Sequence, residues 1–288
     1  MAYRSRHGVT ELSATTTDEK ELCMTGSVLV PLDGSPLSEG ALAVASDIAS
    51  GLSAPITLLT SGWGSTVEEL QSYLDGRAAT LDVPVTTSVV PDTFPATAIA
   101  KAVADSDDAI VMATHGRSGL GRAFLGSVAE DVLKRTDSPV VLIGPGVGST
   151  RPIAGGVLVL TTDGSPASAA VLPRASEWAR KLRMTVHVAS ATTPSGIPLG
   201  TSEAPELERA VQQTAEFLRA QDLEVVITSV VGLDAAQAIA DYADEQQAAL
   251  IAMATHGRTG LARTALGSIT MKVVHLAGCP VLVQKPGS

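Results

Sequence analysis

The stretch "MATHGRSGLGRAFLGSV" (residues 112–128) returns as "MATHGRTGLARTALGSI" (residues 253–269), with twelve of seventeen positions identical. Each copy leaves a short apolar run and runs into a helical pattern, so each is a glycine-rich loop from a strand to a helix. Ordinary loops have no need of such a phrase, and the chain carries it twice.

Further repeats lie to either side. "SVLVPLDGSPLSEGALAVASDIA" (27–49) answers to "GVLVLTTDGSPASAAVLPRASEWA" (156–179), which pairs Asp33 with Asp163, and "SPVVLI" (138–143) answers to "CPVLVQ" (279–284). The offset is 130 residues at the Asp pair and 141 at the loop, so the second copy holds eleven more residues between them. They fall in the Gly/Pro/Ser-rich stretch "TTPSGIPLGTSEAP" (192–205). The expected organisation is an arm at 1–23, one domain at 24–146, a linker at 147–155 and a second domain at 156–288.

Within the first copy the elements alternate. Val28–Leu32 is a continuous apolar run, as expected of a strand buried on both faces. Ser35 can cap a helix whose first residue is Pro36. Strands follow at 56–59, 85–90, 109–113 and 140–143, with helical patterns at 66–82, 95–106 and 127–137. The order βαβαβαβαβ demands crossovers, and so a doubly wound α/β fold with a mostly parallel sheet. Ligands of such sheets sit at the carboxyl ends of the strands, where the strand order reverses. Asp33 and the glycine loop both fall at carboxyl ends.

The bulk composition narrows the function. The 288 residues carry a net charge of −10, and 45% of them are hydrophobic but only 3% aromatic. An acidic chain without a basic stripe is a poor partner for nucleic acid. No run reaches the ~18–20 apolar residues of a membrane span, and the first 23 residues lack the apolar core of a signal peptide. Two cysteines, Cys23 and Cys279, without metal-ligand spacing suit a reducing compartment, and the expected location is the cytoplasm. Cys279 reads as a small buried apolar side chain.

A phosphate site on such a chain must be local. At Gly126-Ser127 the loop enters a helix, whose first N–H groups and partial positive charge seat an anion. The amides at Gly126 and Gly267 are expected to be free for phosphate oxygens, and Arg117 and Arg258 can add charge-assisted hydrogen bonds. The competing reading makes Ser127 an N-cap in a common glycine-rich turn. For Asp33 and Asp163, a carboxylate that accepts ribose hydroxyls competes with a cap for the following helix. His115 and His256 read as loop-shaping, and His187 and His275 as structural. The run Asp105–Asp108 reads as a solvated helix end. Walker and dinucleotide fingerprints fail for want of the lysine and of the right glycine order.

The strand ending in Asp33, the loop "ATHGRSGLGRAFLGS" (113–127) and "PVVLI" (139–143) together resemble the universal stress protein family, and the two copies resemble a tandem member. The resemblance covers almost everything after residue 24. It implies a five-stranded parallel sheet of order 3-2-1-4-5 in each domain. Nucleotide-binding members carry a glycine, two residues, a glycine, nine residues, then Gly-Ser or Gly-Thr. The second and third glycines match Gly116 and Gly126, and Gly257 and Gly267, with Ser127 and Ser268 at the hydroxyl position. The first glycine falls on Ala113 and Ala254. With a positive φ there a Cβ is unwelcome; with ordinary β backbone alanine is harmless. Asp33 and Asp163 match the residue that meets adenosine, and Pro31, Val128 and Ile269 complete the expected site.

The resemblance thus implies ATP, or AMP or a cyclic nucleotide, in one site per domain, with Mg2+ held through the phosphates. Binding, not fast catalysis, is expected, because no general base stands with a nucleophile. The alternatives are an interaction module that Ala113 and Ala254 have disabled for nucleotide, and a nucleotide-converting enzyme. The resemblance also implies that the fifth strands pair edge to edge, forming a pseudo-dimer within one chain that then forms a homodimer.

Overall fold

The computed structural model describes residues 26–62, 65–104, 106, 108–115, 125–148, 151–199, 203–255 and 266–286. The first half contains β1 (Val28–Pro31), β2 (Ile56–Gly62), β3 (Val85–Pro91), β4 (Ala109–Ala113) and β5 (Val140–Ile143). They alternate with α1 (Pro36–Glu39), α2 (Ala41–Leu52), α3 (Val67–Ala78), α4 (Pro95–Ala102) and α5 (Ser127–Arg135). The second half repeats the pattern with β6 (Val157–Thr161), β7 (Thr185–Thr192), β8 (Val225–Val231), β9 (Leu250–Ala254) and β10 (Val281–Gln284). Its helices are α6 (Leu172–Lys181), α7 (Ala204–Arg219), α8 (Ala235–Glu245) and α9 (Ser268–Leu276).

All ten strands join one sheet in the order β3-β2-β1-β4-β5-β10-β9-β6-β7-β8. Each half is parallel and keeps the expected 3-2-1-4-5 order. The seam is the antiparallel pair β5–β10, in register Val281↔Leu142, Leu282↔Val141 and Val283↔Val140. The fifth strands therefore do pair inside one chain, which removes two open edges and leaves β3 and β8 as the outer strands. α2, α3, α6 and α7 pack on one face, and α4, α5, α8 and α9 on the other. Both hydrophobic layers run across the seam without a break.

Local chemistry sets the helix ends. Ser35 caps α1, its Oγ accepting from Ser38 N–H at 3.2 Å, and Pro36 opens the helix. Gly40 then splits the expected helix, donating its N–H to Pro36 O as α2 begins. Thr66 and Glu69 form a capping box for α3, an arrangement worth about 1 kcal/mol. That helix ends at Ala78, short of residue 82, because Thr80 and Leu81 bond three residues back, to Arg77 O and Ala78 O. Likewise α4 ends at Ala102 and α5 at Arg135, where Thr136 turns extended.

Side chains pin the halves to each other and to the connection between them. The Asp47 carboxylate on α2 accepts the Ile153 N–H, and Arg151 donates to Ala248 O at 3.1 Å. Lys285 donates to Lys134 O at 3.0 Å and Gln284 to Asp137 O at 2.6 Å. Among the described residues, no helix is long and apolar enough to cross a membrane.

Candidate functional site

The first site opens where β1 and β4 part. Their ladder covers only Val28↔Ala109 and Leu29↔Ile110. Leu32 N–H donates to Leu59 O of β2 at 2.8 Å, so position 31 faces β4, and Pro31 has no N–H to give it. The strands diverge beyond that point, at the switch point of the sheet.

The resulting cavity measures about 250 Å3, close to the ~300 Å3 lower end of small-molecule sites. Leu59, Pro95, Ile99 and Met112 supply apolar wall. Asp33 lines it from the end of β1, Ala113 and His115 from the end of β4, and Gly126, Ser127 and Val128 from the head of α5. The structure thus brings Pro31, Asp33, Ala113, Gly126, Ser127 and Val128 to one hollow. Gly116, Arg117, Gly257 and Arg258 lie outside the described residues, as does His256.

Asp33 is held by its own turn. Its Oδ1 accepts from Ser35 N–H at 2.9 Å and Ser35 Oγ–H at 2.6 Å. Gly34, at φ +80°, allows the reversal. The helix cap is therefore Ser35 and not Asp33. Asp163 repeats the arrangement, accepting from Ser165 N–H at 3.0 Å and Ser165 Oγ–H at 2.6 Å, with Gly164 at φ +78°.

The two loop glycines correct one expectation. Their own amides are consumed: Gly126 N–H donates to Thr114 O at 2.8 Å, and Gly267 N–H to Thr255 O at 2.7 Å. Each glycine is the N-cap of its helix and Ser127 is the first helical residue, so Ser127 is not the cap either. The donors still aimed outward are the next ones. The N–H groups of exposed Ser127 and Val128 find no partner among the described residues. Glycine is required at 126 for a different reason: a Cβ there would stand 2.5 Å from Thr114 O. Ala113 and Ala254 close regular strands, with Ala113 paired to Ile143 and Ala254 to Gln284. Neither has a positive φ, so alanine suits the backbone at both positions.

One lining residue escaped the sequence reading. Ser61 Oγ, at the end of β2, is buried, lines the cavity and has no hydrogen-bond partner among the described residues. Such a hydroxyl is costly to leave unsatisfied and is an available contact for a polar ligand atom.

The second cavity measures about 90 Å3. Asp163, Met253, Ala254, Ile269 and Thr270 line it, the last donating to Ala254 O at 3.1 Å. Ser268, exposed at the head of α9, heads the helix that borders it.

Among the described residues, three histidines make contacts within the fold. His115 shares its Nδ1 with Thr114 Oγ1 at 3.0 Å and meets His275 of the second half edge-on, ring centroids 5.7 Å apart. His187 is buried against Tyr242 OH at 2.8 Å. Burial pushes the pKa of His187 and His275 below the ordinary value, and for His275 the facing His115 adds to the effect. A histidine held neutral in the fold contributes stability above its unfolded pKa of about 6.5 and loses it as pH falls. The melting temperature is therefore expected to drop between pH 7 and 5.5, and His275→Gln should flatten that drop. An unchanged profile in the variant would show that the seam histidine does not titrate.

Cys279 is buried, its thiol pushed up to about 12 mainly by burial and further by the Asp244 carboxylate, so it is inert packing. Asp108 accepts the Ser27 N–H, while Asp105 and Asp107 lie outside the described residues. Among the described residues, no group of three or more His, Cys, Asp or Glu is placed to hold a metal.

The family model of the universal stress protein family matches residues 63–144 and again 157–285. A universal stress protein of Mycobacterium tuberculosis is 29% identical over 194 residues, 64% of this chain and 63% of that relative. The match thus spans just under two thirds of that curated relative's length. A universal stress protein of Mycolicibacterium smegmatis is 26% identical over 90% of this chain and 97% of its own. Among solved structures, a universal stress protein from Archaeoglobus fulgidus shares the fold at TM-score 0.64 and 21% identity, covering 91% of this chain and 98% of that one.

Proposed function

The chain belongs to the universal stress protein family, and from that premise we propose that it binds an adenine nucleotide, ATP first among the candidates, and acts through binding. The observation that carries this reading is the first cavity, which brings together the three kinds of wall a nucleotide needs. Apolar side chains from β2, α4 and β4 suit a base. The Asp33 carboxylate suits ribose hydroxyls. The unspent N–H groups of Ser127 and Val128 suit phosphate oxygens. The second cavity, beside Asp163 and Ile269, is its counterpart. The Thr114 hydroxyl that meets His115 in the first hollow is buried and donates to Ile143 O at 3.2 Å, so it is not poised as a nucleophile, which favours binding over turnover. Bound magnesium would be held by phosphate and water. The inert, buried Cys279 suits the reducing cytoplasm in which the protein would act.

Millimolar ATP is expected to raise the melting temperature. At a hundredfold excess over Kd the stabilisation is about 2.7 kcal/mol, or roughly 5–10 °C for a chain of this size. Asp33→Ala should remove most of that shift while leaving the unliganded melting point within a few degrees. Mass spectrometry of the purified protein should find the nucleotide retained. No shift with any adenine nucleotide would favour the reading in which the chain is an interaction module alone.

A further inference from the structure

The two cavities differ in volume, and the difference has a local origin. In the first half the chain passes from Gly62 at the end of β2 to the α3 cap at Thr66. In the second half it runs from Thr192 to the cap of α7 at Glu203, ten residues against three, so seven of the eleven extra residues lie here, and α7 itself is four residues longer than α3. The described part of this connection folds back. Thr193 N–H donates to Ile197 O at 2.7 Å, Gly196 N–H to Thr193 O at 2.9 Å, and Ile197 N–H to Thr193 Oγ1 at 3.0 Å. Gly196 supplies the positive φ of +78°. Pro198 then bridges antiparallel to Thr192, and Leu199 N–H donates to Ala191 O at 2.8 Å.

This turn lays Pro198 and Leu199 along the end of β7, where both line the second cavity. Ala191 is the counterpart of Ser61, so the hydroxyl of the first site is lost there as well. The β6–β9 ladder also runs one residue further than β1–β4, to Leu160↔Ala252, because Thr161 stands where the first half has Pro31. What remains, about 90 Å3, is room for about six waters at ~15 Å3 of such volume each.

We propose that the turn at 193–199 makes the two sites inequivalent: the chain takes one adenine nucleotide, in the first half, and Leu199 is the residue that bars the second. The inference rests on the nucleotide reading above. Leu199 is only half-buried, so trimming it leaves the hydrophobic layers intact.

The test is calorimetric titration of ATP into the full chain. The expected stoichiometry is one, and Asp33→Ala should weaken that event at least tenfold. Leu199→Ala should add a second, weaker event, which Asp163→Ala in the same background then removes. A variant with residues 193–199 replaced by Gly-Ser-Gly should do the same and guards against an uninformative point variant. Two events in the unmodified chain, one event that survives Asp33→Ala, or no gain in either opened variant would overturn the inference while leaving nucleotide binding intact. No heat from any of the proteins would overturn the nucleotide reading itself.

Discussion

Gly144→Ala is expected to cost about 3 kcal/mol or more and to lower the melting temperature by roughly 6–12 °C, which makes one methyl group the largest single perturbation of the seam. Gly144 follows β5 directly, and a Cβ built on it would lie 1.8 Å from Val274 O and 3.0 Å from Val274 C, both in α9 of the other half. Those are backbone atoms of a helix whose Val273 and Val274 are fully buried, so no side chain can rotate out of the way. Relief requires α9 to retreat from the end of β5, and the β5–β10 register lies beside it. Gly148→Ala is the control. It sits four residues on in the same connection with nothing within 4 Å of its added Cβ, and it should stay within about 0.5 kcal/mol of the parent. Equal melting points for the two variants would mean that α9 does not press on the end of β5.

That contrast shows what the sequence could convey. Short, continuous apolar runs such as Val28–Val30 and Val140–Ile143, bounded by turn residues, suit strands buried on both faces, so strand positions and fold class followed from local pattern. Caps were equally legible: Ser35 ahead of Pro36 acts through its own neighbours. Nothing local distinguishes Gly144 from Gly148 in "GPGVG", by contrast, because what separates them is a helix 130 residues further along the chain. Ser61 was hidden for the same reason. Within "TSGWGST" it looks like any turn serine until β2 is known to border the crevice beside β1. The extra residues before α7 could be counted, yet their folding onto Ala191 depends on a bridge to Pro198 that no composition reveals. Gly126 belongs to the site, but not for the reason its pattern suggests. The loop pattern suggested an amide lent to phosphate, whereas the structure spends that amide on Thr114 O and needs the missing Cβ.

Gly126→Ala is accordingly expected to abolish the response to ATP, with an affinity loss of about a hundredfold or more, equivalent to ~2.7 kcal/mol. The backbone at 126, φ −60° and ψ 147°, is open to any residue, so conformational strain is not the cause. The cause is contact. The added Cβ would stand 2.5 Å from Thr114 O and 3.5 Å from His115 Cα, atoms at the end of β4 that form the opposite lip of the cavity. The alanine must push the head of α5 away from β4, weakening the 2.8 Å bond from residue 126 to Thr114 O and turning the Ser127 and Val128 donors off their line. Overpacking of this kind costs about 1–3 kcal/mol of stability, so the unliganded melting point falls too. Gly76→Ala separates the two effects. It lies in α3 with nothing within 4 Å of its Cβ and should raise stability by up to about 1 kcal/mol with the ATP shift intact. A Gly126→Ala protein that melts lower yet still gains the full ATP shift would place the phosphates somewhere other than the head of α5, because the donors there cannot keep their aim once the strand and helix are forced apart.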